Sequence, residues 1–299
     1  MTVTEAYKTC REIARREAKN FYYAFVALPE HKRDAICAVY AFMRRADDLS
    51  DDESVPVDER RKNLKTWLDR WHSAARGGAD DPVFTALADA QKRFGISLEL
   101  LDELVAGTAM DLERASQPGN YDTYATFDDL YRYCYLVASV VGLVCIRIFG
   151  YSDKRAEKLA EETGIAFQLT NILRDVKEDL ERKRVYLPLD ELKQHGVSIE
   201  ELTKAPSPLA ENQRELLATI AGRAENYYRS GYALMPLIDA DSRPALWVLI
   251  TIYHRLLKKI EASGYEVFAE RASVPTVTKL WILFRGLSRV MMARAGAGK

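Results

Sequence analysis

The chain has 299 residues, of which 48% are hydrophobic and 29% are charged, so it can bury a sizeable core. A formal net charge of −1 provides no basic field, which argues against a nucleic-acid partner. The four cysteines form no CxxC pair and the N-terminus has no apolar leader, so we expect a cytoplasmic protein with reduced thiols.

Helical periodicity dominates the chain, and strand patterns are nearly absent. The apolar residues Ile36, Val39, Tyr40 and Met43 recur at three- and four-residue spacing, as on one face of a helix. The clearest helical segments are residues 32–50, 155–181, 223–237 and 245–263. Short breaks fall at residues 54–57, 77–82, 117–121 and 205–208. We therefore predict an all-α fold in which residues 1–299 form a single helical domain.

The longest apolar stretch runs from Tyr133 to Ile146 and ends at Arg147. It is shorter than the roughly 20 residues that span a bilayer. We expect a buried core helix here.

Two acidic motifs lie on two of the predicted helices. In the first, Asp47 and Asp51 are four residues apart and share a helix face. In the second, Asn171, Asp175 and Asp179 continue one stripe through three turns. Two such stripes facing each other would hold Mg²⁺ between the protein and a diphosphate.

The alternative is that each acidic run is a solvated surface, which is the usual place for aspartate. Both runs are embedded in apolar helices, and both contain arginines suited to phosphate oxygens, namely Arg44, Arg45 and Arg174. The occurrence of two such motifs in one chain favours a functional site.

Three stretches resemble the squalene/phytoene synthases. Residues 38–48, AVYAFMRRADD, are similar to the first aspartate motif of that family, and residues 167–188, FQLTNILRDVKEDLERKRVYLP, are similar to the second. Residues 131–142, YRYCYLVASVVG, resemble the central helix. The resemblance covers essentially the whole chain. It implies an isoprenoid-synthase-like helical bundle around a central cavity.

The resemblance also implies the chemistry and the site. One prenyl diphosphate ionises to an allylic cation, and the second attacks it to give a cyclopropylcarbinyl diphosphate, which rearranges to a linear product. By resemblance, Asp47 and Asp51 would bind metal at one site, and Asn171, Asp175 and Asp179 at the other. The residues matching the diphosphate region are Tyr40, Arg44, Gln168 and Arg174. Mg²⁺ is the expected cofactor, and the use of NADPH is left open.

A carbocation needs a dry apolar tunnel, and the stretch that includes Val137 and Ala138 can supply its wall, although core packing is the alternative. Phe21 and Phe25 are further candidates for substrate contact, with Phe25 and Cys37 at the tunnel end. Tyr131, Tyr133 and Tyr135 are either rings for the cation or ordinary core residues.

Two positions depart from the family pattern. The segment before Phe21 reads Ala18-Lys19-Asn20, where a small hydroxyl residue is common, so a phosphate contact there would come from Lys19 or Asn20. Ser139 stands where glycine is common. Both departures leave the substrate subtype open.

Residues 271–299 contain six basic residues and no acidic one, together with many apolar residues. Such a helix can lie on an anionic membrane, and the alternative is a core-packing helix with a basic outer face. Peripheral membrane contact is therefore one expectation for this segment. Arg271, near Tyr265 and Phe268, is instead a candidate for the diphosphates.

The leading hypothesis is a prenyltransferase that makes squalene, or its cyclopropyl precursor, from farnesyl diphosphate. The alternative in the same fold is phytoene synthase, which uses geranylgeranyl diphosphate. More distant alternatives are a helical terpene cyclase and a non-catalytic assembly factor. The intact aspartates of both motifs argue against the assembly factor.

Overall fold

The computed structural model describes residues 1–78, 80–114 and 121–296 of the chain. Over these residues the fold consists of fourteen α-helices and a minimal pair of strands. In chain order the elements are α1 (Val3–Glu17), α2 (Lys19–Val26), α3 (Glu30–Asp51), α4 (Val57–Ala75), α5 (Pro82–Phe94), α6 (Leu98–Arg114), β1 (Asp122–Thr123), α7 (Phe127–Cys134), a π-helical segment (Tyr135–Ser139), α8 (Val140–Phe149), α9 (Arg155–Glu181), β2 (Arg184–Val185), α10 (Leu189–Gln194), α11 (Ile199–Thr203), α12 (Glu211–Leu234), a 3₁₀ turn (Met235–Leu237), α13 (Arg243–Ala262) and α14 (Thr276–Gly296).

Local chemistry explains where several helices begin and end. In α5, Asp81 accepts a hydrogen bond from the Val83 amide, Pro82 occupies the first turn, and Gly95 ends the helix at a φ of 61°. Helices α1, α7 and α11 each begin with a capping box. The predicted helix over residues 155–181 coincides with α9. The all-α prediction is confirmed.

The two strands form a small exception to that prediction. They pair in parallel, with Asp122 opposite Arg184 and Thr123 opposite Val185. Two-residue strands are too short to show alternation, so no sequence pattern indicated them. The pair ties the chain before α7 to the end of α9.

Helix α9 lies at the centre of the bundle, where it packs against α12, α8, α13 and the π-helical segment. One contiguous hydrophobic core includes buried residues from Ala6 in α1 to Val274 ahead of α14. The single-domain organisation over residues 1–299 stays a prediction.

The apolar stretch around Val140 is longer in the structure than in the sequence pattern. Residues 127–149 form one continuous 23-residue helical run, and its most apolar 18-residue window has a mean hydropathy of 1.7, so by length and composition alone it could cross a membrane. The core helix of a folded domain can have the same length and composition, so this run does not overturn the expectation of a core helix over residues 133–146. Leu130, Cys134, Val140 and Val144 are fully buried, as in the core helix of a folded domain.

The π-helical segment is held between two glycines. A Cβ on Gly164 of α9 would lie 2.6 Å from the Ser139 Cα, and one on Gly107 of α6 would lie 3.0 Å from the Leu136 carbonyl oxygen. Ser139 donates a 2.6 Å hydrogen bond to the Glu161 carbonyl oxygen. These close approaches fix the segment between α6 and α9, where Val137 and Ala138 line a cavity.

Candidate active site

A cavity of about 790 Å³ lies between α3, α9 and the π-helical segment. Most of the predicted site residues line it. These are Phe21, Phe25, Tyr40, Arg44, Asp47, Val137, Ala138, Gln168, Asn171, Arg174 and Arg271. The structure therefore brings together residues from both motifs, the central helix and the C-terminal region.

The lining changes character along the two motif-bearing helices. On α9 it passes from Ala160 and Gly164 to Asn171 and Arg174, all on one helix face. On α3 it passes in the same way from Ile36 and Val39 to Arg44 and Asp47. Each helix thus presents apolar surface in its N-terminal half and charged groups in its C-terminal half.

Asp47 is the first-motif carboxylate that lines the cavity. Its Oδ1 accepts a 3.1 Å hydrogen bond from the Thr108 hydroxyl of α6. Burial raises the pKa of Asp47 to about 6, with a smaller contribution from repulsion by Asp51, while the Thr108 hydrogen bond acts in the opposite direction. The empty site therefore disfavours the ionised carboxylate of Asp47, and a bound cation would stabilise that ionised form.

Arg44 and Tyr40 lie one and two turns before Asp47 on the same helix. Arg44 forms a 2.6 Å ion pair with Asp48. Burial raises the pKa of Tyr40 to about 12, so its hydroxyl stays a hydrogen-bond donor at neutral pH. The pair offers a guanidinium and a phenol to an anion in the cavity.

The second motif is held by two arginines. The guanidinium of Arg174 contacts both carboxylate oxygens of Asp175, with Nε 2.7 Å from Oδ1. Arg271 also binds Asp175, through Nη2 at 2.7 Å, and reaches Glu178 at 3.3 Å. Asp175 itself is not part of the cavity lining. It positions the guanidinium groups of Arg174 and Arg271, which do line the cavity.

Asp179 and Asp51 lie outside the cavity lining. Asp179 borders a separate small recess with Arg184, and burial followed by repulsion from Asp175 raises its pKa to about 7. Asp51 is exposed at the C-terminal end of α3. The metal-binding roles of both residues stay predictions.

Asn171 has an unsatisfied oxygen beside the cavity. Its Nδ2 donates to Gln168 Oε1 at 3.4 Å, but the buried Oδ1 has no hydrogen-bond partner among the described residues. A buried carbonyl oxygen without a partner is costly, so a ligand is expected to satisfy it.

The oxygen donors present fit a hard divalent cation such as Mg²⁺. They include the unpartnered Asn171 Oδ1 and the carboxylates of Asp47 and Asp179, whose raised pKa values a cation would lower. In the described part of the chain, no three His, Cys, Asp or Glu side chains form one metal-binding group. A metal there would take its further ligands from water and from the oxygens of a bound diphosphate.

Lys279 and Tyr253 are among the lining residues that the sequence did not indicate. Lys279, in the first turn of α14, lines the cavity and has no acidic partner among the described residues; burial and repulsion by Arg174 lower its pKa. Tyr253 of α13 also lines the cavity, and burial raises its pKa to about 12. The run of basic residues after Arg271 was the one sequence feature that pointed towards Lys279.

Aromatic rings line the cavity, but they are not the expected central tyrosines. Phe167 stacks on Tyr253 with ring centroids 4.6 Å apart, and Phe21 lies 5.7 Å from the same ring. Phe25 and Tyr40 meet edge to face at 6.1 Å. These rings, together with the aliphatic wall, provide a dry surface with π faces.

The central tyrosines are core residues that do not line the cavity. Tyr131 donates a 2.5 Å hydrogen bond to Glu161, and Tyr135 donates a 3.4 Å one to Glu103. Tyr133 stacks on Tyr186 at 4.9 Å. The ring-for-cation interpretation of these three residues is therefore wrong.

Two further expectations about the tunnel have different outcomes. Cys37 is fully buried outside the cavity lining, so its expected place at the tunnel end is wrong. The side chains of Lys19 and Asn20 lie outside the described residues.

The chain is similar over most of its length to characterised proteins. A family model described as squalene/phytoene synthase matches residues 14–278. The phytoene synthase of Mycobacterium tuberculosis is 36% identical over 293 residues, covering 96% of this chain and 92% of the relative. The 15-cis-phytoene synthase of Synechococcus elongatus is 34% identical over 291 residues, with 93% and 91% coverage.

Solved structures agree with this similarity. A dehydrosqualene synthase crystallised with a ligand superposes with a TM-score of 0.84 at 30% identity, covering 97% of this chain and 98% of that one. A squalene synthase from Alicyclobacillus acidocaldarius gives a TM-score of 0.79 at 26% identity, with 88% and 95% coverage. The chain therefore belongs to the squalene/phytoene synthase family of prenyltransferases, which condense two prenyl diphosphates head to head with the help of a divalent metal.

Proposed function

We propose that this enzyme condenses two molecules of geranylgeranyl diphosphate into phytoene. The observation that carries the proposal is the cavity itself, which is apolar along the first halves of α3 and α9 and charged along their second halves. Such a cavity suits a molecule with a long apolar tail and a diphosphate head.

The names of the relatives favour the C40 product over the squalene product that the sequence analysis preferred. The relatives at 34% and 36% identity, each aligned over more than 90% of this chain, are phytoene synthases. The dehydrosqualene and squalene synthases among the solved structures are 30% and 26% identical, and they keep farnesyl diphosphate as the second candidate substrate.

In this proposal the charged half of the cavity binds the diphosphate heads. Arg44, Arg174, Arg271 and Lys279 provide positive charge, and Tyr40 provides a hydroxyl donor. Gln168 lies one turn before Asn171, orients its amide by accepting a hydrogen bond, and faces the same cavity. Together these groups orient the departing diphosphate and stabilise the charge that develops on it.

Mg²⁺ would be held by Asp47, Asn171, Asp175 and Asp179, with Asp51 at the outer end of the first motif. When bound, it supplies Lewis-acid stabilisation of the leaving diphosphate. The apolar half, including Val137, Ala138, Phe21 and Phe25, excludes water from the cationic intermediate. NADPH finds no support in the comparisons and is not part of the proposal.

The test is incubation of purified protein with Mg²⁺ and either geranylgeranyl or farnesyl diphosphate, with and without NADPH, followed by mass analysis of the products. We expect a C40 hydrocarbon from geranylgeranyl diphosphate without NADPH. A C30 product from farnesyl diphosphate alone would move the enzyme to the squalene branch. Absence of any condensation by folded, metal-replete protein would contradict both.

Matched variants separate chemistry from folding. Asp47→Asn should lower kcat by at least about a hundredfold, since it removes a charged group of the cavity. Asp58→Asn is the control, because that carboxylate is 93% exposed and pairs only with Arg61 on the surface among the described residues. Equal activity of both variants would support a non-catalytic role for the aspartate motifs.

Phytoene carries no polar group, so it needs an apolar phase after release. We therefore also propose that the enzyme works at a membrane surface.

A further inference from the structure

Exposed apolar side chains are concentrated on α14. Val277, Leu280, Trp281 and Phe284 are 78%, 52%, 51% and 66% exposed. Elsewhere in the described residues, large hydrophobic side chains are exposed only at Met1, Val3, Leu189 and Tyr232. Half of these side chains therefore lie within eight consecutive residues, which makes them one continuous patch, a feature that marks an interaction surface.

The four residues form one stripe. Their spacing of i, i+3, i+4 and i+7 places them on a single face of the helix. The opposite face contacts the protein, where Ile282 is fully buried and Lys279 lines the cavity. A surface helix usually presents polar residues outward, so this stripe lacks the partner that its composition requires.

The charge around the stripe indicates what that partner is. Residues 271–299 contain six lysines and arginines and no acidic residue, and of these Arg271 and Lys279 line the cavity. Arg285 flanks the stripe, and its guanidinium carbon lies 4.7 Å from the centroid of the Trp281 ring. An outward face of Trp, Phe and Leu bordered by arginine is the pattern of a helix that lies in the headgroup region of an anionic bilayer.

We infer that the outward stripe of α14 docks the enzyme on an anionic lipid bilayer. A second copy of the chain would be a poorer partner, because a two-fold contact would bring the same basic segment against itself. Negatively charged lipid headgroups complement that segment, and the acyl region accepts the four apolar side chains.

Docking there would place the cavity beside the membrane. Arg271 and Ser273 line the cavity and are also exposed, so the cavity reaches the surface next to the first turn of α14. A hydrocarbon that leaves at this point would enter the bilayer directly. This release route rests on the proposed function, whereas the docking itself does not.

The test is flotation of the full-length protein with vesicles of phosphatidylcholine and phosphatidylglycerol, in the absence of substrate. The stripe variant carries Leu280→Ser, Trp281→Ser and Phe284→Ser, and the control carries Val3→Ser and Leu189→Ser. We expect the control to float like the wild type and the stripe variant to lose at least about fivefold in bound fraction. Replacing phosphatidylglycerol by phosphatidylcholine should weaken wild-type binding.

Activity assayed with detergent-dispersed substrate separates this inference from the proposed function. The stripe variant should retain turnover there, because none of its three positions lines the cavity. Brominated lipids should quench the tryptophan fluorescence of the wild type, and they should quench it much less in the stripe variant, which lacks Trp281 and keeps Trp67, Trp71 and Trp247. Wild-type protein that does not float, or a stripe variant that floats equally well, would overturn the inference. So would loss of a dimer in the stripe variant without any change in flotation.

Discussion

The hydroxyl of Thr108 on α6 donates to Oδ1 of Asp47 on α3 at 3.1 Å, which joins two helices at the charged half of the cavity. The hydrogen bond occupies one carboxylate oxygen and leaves Oδ2 for a ligand. Thr108 is not part of the cavity lining, so it is a positioning residue that acts through Asp47.

Replacing Thr108 by valine keeps the shape of the side chain and removes the donor. A hydrogen bond to a charged group contributes about 1.5–3 kcal/mol, so we expect kcat to fall by roughly ten- to a hundredfold and the Mg²⁺ requirement to rise. Thr108→Ser should restore most of the activity because it keeps the hydroxyl. Steady-state kinetics over a Mg²⁺ series measures both effects, and equal loss in the valine and serine variants would point to packing instead.

The ligand-free protein should lose stability as the pH rises. Burial raises the pKa of Asp47 to about 6 and that of Asp179 to about 7, both above the ordinary value of 3.8. The folded state therefore holds protons that the unfolded chain has released, and the free energy of unfolding falls between roughly pH 4 and pH 8. Carboxylates with lowered pKa values, such as Asp241, lose their contribution only below this window.

Thermal melts at pH 5.5 and pH 8 check this expectation. We expect Tm to be lower at pH 8 by a few degrees, on the order set by two carboxylates in a chain of this size. The double variant Asp47→Asn/Asp179→Asn should flatten the profile, and Mg²⁺ with inorganic diphosphate should do the same for the wild type. A ligand-free Tm that rises steadily with pH would contradict the assignment.

Lys279 should bind the substrate at some expense to the stability of the empty protein. Burial, followed by repulsion from Arg174, lowers the pKa of this cavity residue, and it has no acidic partner among the described residues. We expect Lys279→Met to raise the KM for the diphosphate substrate about tenfold and to leave the Tm of the empty protein equal or slightly higher. The exposed Lys65→Met serves as the control, and a KM unchanged from wild type would remove Lys279 from the site.

Gly164 should tolerate no side chain. Its Cβ would lie 2.6 Å from the Ser139 Cα, which is backbone and cannot swing away. We expect Gly164→Ala to destabilise the protein by about 1–3 kcal/mol or more and to displace the π-helical segment. Gly222→Ala on α12 is the matched control, because its Cβ would meet nothing within 4 Å and should stabilise by about 0.5–1 kcal/mol. Chemical denaturation of both variants decides the point.

The sequence predicted the parts of the site that lie within single helices. The bounds of α9 follow from its long apolar period, and the spacing of Asn171 and Arg174 places both on the face that the cavity uses. The spacing of Arg44 and Asp47 on α3 likewise places both residues on the face that the cavity uses. Residues one or two turns apart on a helix share a face whatever the rest of the chain does, so local pattern suffices for them.

The site residues that the sequence did not indicate belong to helices other than the two that carry the motifs. Thr108, Tyr253 and Lys279 belong to α6, α13 and α14 and carry no motif, so only tertiary packing brings them to the cavity. Asp51 shares a face with Asp47 in the pattern, yet it lies at the last residue of α3 and is exposed. The π-helical segment escaped for a related reason, since its shape depends on contacts with Gly107 and Gly164.

Helix α9 extends without interruption through 27 residues and carries both the small apolar lining and the charged motif. At a rise of about 1.5 Å per residue, Ala160 and Arg174 lie roughly 21 Å apart along a rigid rod. Inserting one residue between them would turn the charged groups by about 100° and away from the cavity. The backbone of α9 thus sets the distance between the bound diphosphate head and the far end of the tail. A different substrate length would therefore require larger or smaller side chains along this helix.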